Sequence, residues 1–556
     1  VPTRAARLLL LAAAAVALWA GWREFWFLCD DAFIEFRYVA NAHAGLGFVW
    51  NPPPWRPVEG YTSFLWVALL EAVWSLFGAE PPAAAPLLSL GFSYVSLGLV
   101  AWMALRLPLA GALARHRTAV LGAVLFATLS NRTFLAWTSS GLETALFSAV
   151  VLAWVTSVVV AGSAPLLLVS TLAGVMALTR PDGLLYAAAT AAILAVRALP
   201  GPAPRPSRRA IALAAAPLLL PVAHVAWRLR TYGYLLPNTY YAKHVGPWPL
   251  AGVGYLTSFL LEYAYWVWLG VAGAAGVAAL RRLHAAGTAA LRPAALLALP
   301  RVSVTRWIGI ATVFAHFAYY TFDVGGDHFE YRPYHALVPL LALSFFALGD
   351  RLAWPARRTW VAFGAMTALG LVLPWTHWWH TRATVGHKEA GSFVYPIADH
   401  VIWPLRPYAA AWDAVQGRLL HHFIGIRHQG HRTYLAYQAT RYPSRAEGSA
   451  LPAADYPVLA ASAVGYPAWN MPNVAILDRL GLNDLVVART PPLHTEQTRR
   501  RMAHDREAPE AYVACFQPNV KIGPKGHARV VPRAVPLTAE EIRACEDTWM
   551  KRVGAE

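Results

Sequence analysis

The chain has 556 residues, of which 57% are hydrophobic and only 14% charged, whereas a soluble globular chain carries about 25% charged residues. Its formal net charge of +17 sits largely on arginines in short loops between apolar runs, which is the pattern of a polytopic membrane protein and not of a nucleic-acid module. A purely soluble enzyme is excluded; what is left is a helical membrane protein that meets the lipid bilayer along most of its length, with a polar portion attached.

In chain order, Arg4 and Arg7 precede a first apolar run from Leu8. The start is basic, as in a signal peptide. The run is longer than an h-region, however, and Trp and Phe stand where small residues would mark a cleavage site, so an uncleaved helix is expected. Further apolar runs begin near Pro86, Ala119, Leu142, Pro165, Leu184, Ala210, Gly252, Trp307, Tyr334 and Trp360, giving about eleven transmembrane helices of roughly 20 residues each. Residues 61–77 form one more apolar stretch, short and interrupted by Glu71. A charge at a span centre costs about 2.5–3.5 kcal/mol to insert, so this stretch reads as a helix lying on the outer surface. Arg106, Arg115, Arg117, Arg197, Arg281, Arg292, Arg301, Arg351 and Arg358 then fall inside, where Asp350 is the sole acid, and Asp30, Asp31, Glu35, Glu59, Glu143, Asp182, Asp323, Asp327 and Glu330 fall outside.

The membrane domain is expected over residues 1–379, with a first outer loop at 28–85, and residues 380–556 read as a mixed α/β outer domain. Strand-like runs are PVLAAS, VAIL and LVVA; a closing helix, TAEEIRACEDTWMKRV, starts on a Thr538–Glu541 capping box. Cys515 and Cys545 form a disulfide if this part lies outside the cytoplasm; two free buried thiols are the alternative. Cys29 reads as packing.

Four constellations carry candidate chemistry. Asp30 and Asp31 follow the first helix, and adjacent acids at a membrane boundary mark function. Sugar transfer needs a carboxylate that takes the acceptor proton or stabilises charge at the anomeric carbon. Neighbouring side chains share no face of a helix or strand, so an irregular loop is expected there, with Asp30 the first choice for the catalytic carboxylate, Asp31 the second, and a helix cap as the bland reading. Second, residues 323–334 (DVGGDHFEYRPY) crowd Asp327, His328, Glu330 and Arg332 around two glycines. These side chains make a hydrogen-bonded sugar site, a divalent-cation site or a salt-bridge cluster, and the sugar site is preferred. Third, residues 234–244 (YLLPNTYYAKH) bring Lys243 for a lipid phosphate and Tyr240 for ring contact. Fourth, SSGLET and TRPDG form short outer turns, with Arg180 either a phosphate ligand or a local partner of Asp182. Trp469 is the acceptor-stacking candidate of the outer domain, and Glu59 belongs with the sugar-facing acids. No nucleotide-binding glycine motif is present.

Taken as an ordered set, DDAFIEFRYVANAHAGLGFVWNP, VEGYTSFLW, SSGLET, TRPDG, LLPNTYYAK and GGDHFEYRPYHALVPLL resemble the GT-C superfamily of polyprenyl-phosphate-dependent glycosyltransferases, and within it the terminal β-(1→2)-arabinofuranosyltransferases of actinobacterial cell walls. The resemblance implies a GT-C fold and a decaprenyl-phosphoryl-arabinose donor. It implies an arabinan acceptor in arabinogalactan or lipoarabinomannan, with retention of configuration. It places Asp30 and Asp31 in the catalytic motif; in the reading joined to it, Lys243, Arg332 and Arg180 neutralise the donor phosphate, and Asp327, His328 and Glu330 border the sugar. No particular cofactor is assigned, and a divalent cation stays an option. Rival readings are a GT-C enzyme for mannose or galactofuranose and a flippase for lipid-linked sugars.

Overall fold

The computed structural model describes residues 4–162, 164–199, 205–285, 300–382, 395–493 and 500–554; Arg292 lies outside the described residues. Helical segments stand at all the expected places in the membrane part, from Arg4–Glu24 through Ala356–Thr381. Among the described residues, five are long and apolar enough to cross a membrane, and a sixth is the pair Pro249–Glu262 and Trp266–Ala285, bent by 101°. Eleven full-length spans are therefore not seen. Arg117–Leu129, Leu166–Thr179 and Gly183–Ala198 have 13, 14 and 16 residues, and at about 1.5 Å per residue each falls short of a hydrocarbon core of about 30 Å. The 14-residue helix Phe64–Phe77 is likewise too short to cross and buries Trp66, Val67 and Leu70.

The bundle has two chemically different ends. At one, Arg7 donates to the Thr118 hydroxyl at 3.0 Å, Arg117 to the Leu107 carbonyl at 2.8 Å, and the Asp350 carboxylate accepts from the Ala110 N–H at 2.9 Å. Arg7, Arg117 and Asp350, grouped by sequence, thus meet at one end of the bundle. At the other end the first helix gives way to Phe27, whose N–H donates to Ser139 Oγ at 3.3 Å, and Trp137 donates to the Glu330 carbonyl at 2.8 Å. SSGLET, TRPDG and the glycine-rich loop therefore converge beside the aspartates.

The aspartate pair does not sit in an irregular loop. It opens the helix Asp30–His43, with Cys29 at the N-cap position but no side-chain cap bond, and carboxylates in a first turn suit the positive helix N-terminus. Cys29 is buried, as its packing assignment expects.

The last membrane helix ends at Thr381, and the polar half that follows packs into the first outer loop. Phe33, Phe36, Trp50 and Trp55 share one core with Val458, Ile476, Tyr512 and Phe516. Arg37, 1% exposed, organises this junction: its guanidinium donates to the carbonyls of Trp50, Ala468, Met471, Pro472 and Val474 at 3.0–3.3 Å. Two of the three expected strands form, Val458–Ala461 and Ala475–Asp478, paired in parallel. LVVA does not. The Asp484 carboxylate accepts the N–H groups of Val486 and Val487, both at 2.9 Å, which offers that backbone a turn in place of a ladder. The closing helix Ala539–Arg552 carries its Thr538–Glu541 capping box, and Cys515 is bonded to Cys545.

Candidate active site

The glycine-rich loop is launched by a π-helical segment, Tyr319–Val324, and such bulges re-aim side chains at functional sites. Here it points Tyr320 at the TRPDG turn, where its hydroxyl donates to Asp182 at 2.9 Å. Gly325 and Gly326 follow with φ of 88° and 105°. A Cβ on Gly325 would stand 2.7 Å from Trp248 and one on Gly326 2.9 Å from Tyr255, so both conformation and space demand glycine. The loop is then held by the polar half. Gly425 N–H donates to the Asp327 carbonyl at 2.9 Å, Ile426 N–H to the His328 carbonyl at 2.8 Å, and Glu330 N–H to the Ile426 carbonyl at 3.0 Å.

The two adjacent aspartates have different surroundings. Asp30 is tied to the polar half: its carboxylate accepts the N–H of Tyr466 at 2.8 Å and of Gly465 at 3.1 Å. Burial pushes its pKa up to about 6, against those two hydrogen bonds and with the Asp31 charge adding to the rise. Asp31 is half-buried and, among the described residues, no donor reaches its carboxylate. One turn on, and so on the same helix face, Glu35 is buried. The Ser63 hydroxyl donates to its Oε1, and Oε2 has no partner among the described residues. Burial first, then the neighbouring Glu143, raises the Glu35 carboxyl well above its ordinary range.

A cavity is lined by Arg180, Arg332, Asp182, Phe147, Tyr186 and Pro333, among others. Arg332 is held by Asp327 at 2.8 and 3.3 Å. Arg180 is held by Glu143 at 2.5 Å, Asp182 at 3.0 Å and the Tyr320 hydroxyl at 2.5 Å. The local pairing weighed for Arg180 is thus present, and both cations are pre-oriented against apolar walls. Lys243 is exposed at the rim, with Tyr240 stacked on His244 at 4.9 Å.

Three expected sugar-facing residues are placed elsewhere. Glu59 is 2% exposed and forms a buried ion pair with Arg228, whose Nη2 lies 3.2 Å away. Trp469 is 4% exposed; Arg445 covers its ring at 3.7 Å and Phe36 packs against it, so no sugar can stack there. Glu330 lies fully buried beneath the site, 3.2 Å from Arg132 and 3.7 Å from Arg427. Burial raises its pKa, but Arg132 and Arg427 outweigh that and hold the carboxyl well below its usual range. Glu330 therefore anchors the loop.

The structure adds two side chains that no motif marked. His431, from the helix His428–Arg441, and His504 approach His328, which lies 5.5 Å and 5.0 Å from them between ring centroids. Among the described residues no group of three or more His, Cys, Asp or Glu is arranged to hold a metal ion.

No family model and no solved structure matches the chain. Over 278 residues, 47% of this chain and 42% of the relative, it is 30% identical to a terminal β-(1→2)-arabinofuranosyltransferase of Mycobacterium tuberculosis. Over 369 residues, 60% of this chain and 49% of the relative, it is 28% identical to a terminal β-(1→2)-arabinofuranosyltransferase of Corynebacterium glutamicum. The chain spans about half the length of the curated relatives it matches. By sequence, then, this helical protein is related to arabinofuranosyltransferases.

Proposed function

We propose that the chain is a membrane glycosyltransferase. It moves arabinofuranose from decaprenyl-phosphoryl-arabinose to the non-reducing ends of cell-wall arabinan, in arabinogalactan and lipoarabinomannan, forming terminal β-(1→2) linkages with retention. Its active site and polar half face the periplasm, opposite the basic end of the bundle. The observation that carries this reading is the pair of arginines, Arg180 and Arg332, held by carboxylates at one cavity of the glycine-rich-loop end. Two relatives of that name support the sugar.

Of the site acids, Asp30 is bound to backbone, Glu35 is buried with the Ser63 hydroxyl on one oxygen, and Glu143, Asp182 and Asp327 are paired with arginine. That leaves Asp31 to act on the anomeric carbon. Its Oδ attacks C1 as the C1–O bond to phosphate breaks, and the electron pair leaves on the phosphate, whose charge Arg332 and Arg180 meet. The acceptor hydroxyl then displaces Asp31, and the lipid phosphate takes its proton. Two inversions at C1 give net retention.

The test is transfer from a synthetic prenyl-phosphoryl arabinofuranoside to an oligoarabinofuranoside. Wild type transfers, Asp31→Asn falls by about 10³-fold or more, and Asp30→Asn falls by about tenfold through loosened docking. Unimpaired transfer by Asp31→Asn, or preference for a mannosyl or galactofuranosyl donor, contradicts the reading.

A further inference from the structure

The reaction proposed above leaves the histidines without a part. His328, His431 and His504 come from three separate elements: the glycine-rich loop, the helix His428–Arg441 and the stretch after residue 500. The Nδ1–H of His328 donates to the Phe423 carbonyl at 3.0 Å, and that of His504 to the Met502 carbonyl at 2.7 Å. A carbonyl only accepts, so in each neutral ring Nε2 is the bare acceptor. The Nε2 of His431 is buried and has no partner among the described residues.

All three rings are neutral at physiological pH. Burial lowers His431 to about 4, and lowers His328 and His504 as well, His328 further by its proximity to His504, His431 and Lys243. The charge of Asp31 acts on both His431 and His504. His328 and His504 thus each offer a bare ring nitrogen as acceptor, the Asp31 charge reaches His431 and His504, and the nearby cations are Arg332 and the exposed Lys243.

Such a surface suits a ligand rich in O–H donors and repels a phosphate, which would set lone pairs against lone pairs. The arginine cavity has the opposite preference. The two regions meet at Phe329, whose ring lies 4.5 Å from the Arg332 guanidinium and 4.5 Å from the His431 ring centroid.

We infer that His328, His431 and His504 form the acceptor subsite, which holds the neutral terminal sugar of the glycan through its hydroxyls, apart from the donor phosphate on the arginine side. The inference rests on the proposed transfer reaction and assigns two acceptor-binding residues to the polar half of the chain.

The full-length protein in nanodiscs is assayed with synthetic donor and oligoarabinofuranoside. His504→Gln and His431→Asn should each raise the acceptor KM about tenfold and leave the donor KM within about twofold. A raised donor KM with an unchanged acceptor KM overturns the assignment, as does no change in either. His504 is only half-buried, so its variant carries the test if His431→Asn does not fold. Saturation-transfer NMR of the oligoarabinofuranoside without donor separates this inference from the reaction itself. Binding that His504→Gln weakens supports the subsite even if wild type transfers nothing, and binding unaffected by His504→Gln refutes it.

Discussion

Asp30 and Asp31 differ in what reaches them, and that difference could not be read from adjacency. The sequence argument assumed that both carboxylates serve one pocket and so demanded a loop. A helix start separates them: Asp30 binds the backbone of Gly465 and Tyr466, and no donor among the described residues reaches Asp31. The motif was legible; the difference in surroundings needed the docked partner. Trp469 failed for a related reason. An aromatic ring in a polar stretch reads equally as a sugar platform or as core, and the approach of Arg445 and Phe36 decides for core. His431 and His504 carry no local signature among 19 histidines, and only tertiary docking gathers them. Arg37 was equally silent. Arg37→Lys would set one ammonium with three donors against five carbonyls, so we expect the polar half to be destabilised by about 3 kcal/mol or more, read as earlier thermal unfolding and faster proteolysis of residues 395–554. Unchanged unfolding would show that its hydrogen bonds are replaceable.

At the scale of elements, the interface between the helices Asp30–His43 and Gly465–Asn470 depends on a close backbone approach. A Cβ on Gly465 would stand 1.9 Å from the Asp30 carbonyl oxygen. Gly465→Ala should therefore displace Asp30 and lower both stability and transfer, by about 2–4 kcal/mol in the first. A variant that unfolds like wild type would argue that the contact relaxes freely. The closing helix carries a pH-dependent group. Burial raises Glu546 to about 8, against the N–H of Arg56 that its carboxylate accepts. Its folded-state pKa lies above the unfolded one. Its contribution is thus fully present below the ordinary glutamate range and lost as pH rises through about 8. Glu546→Gln keeps an acceptor for Arg56 and should flatten the fall in thermal midpoint between pH 5 and 9; an identical fall in both proteins would exclude Glu546 as the source. Capping boxes and two strands were readable locally, since a Thr-x-x-Glu or an apolar run carries its own signal. LVVA was misread because Asp484, just before it, satisfies the backbone that a strand would have paired.

For the whole molecule, hydropathy located the helices but not their lengths, because membrane spans are set by packing as well as by apolar runs. Charge patterning grouped Arg7, Arg117 and Asp350, and their contacts lie together, away from the glycine-rich loop. Cysteines at exposed Arg115 and Lys243 should consequently react with an impermeant maleimide from opposite sides of the membrane, Lys243→Cys in intact cells and Arg115→Cys only after lysis. The two halves are joined beneath the site by Arg132, Arg427, Glu262 and Glu330, all buried. Arg427→Ala leaves a buried carboxylate short of its partner, and a loss of about 3–5 kcal/mol is expected, measurable as a lower unfolding temperature.

The arrangement of Asp31 between two chemically opposed regions is the claim on which the account depends. The most direct measurement is an experimental structure with a non-transferable phosphonate analogue of the prenyl-linked arabinofuranoside bound. The phosphonate should lie against Arg332 and Arg180, with the anomeric carbon turned to Asp31 and away from Asp30. A sugar ring seated with its anomeric carbon out of reach of Asp31, or a phosphonate among the histidines, would contradict it.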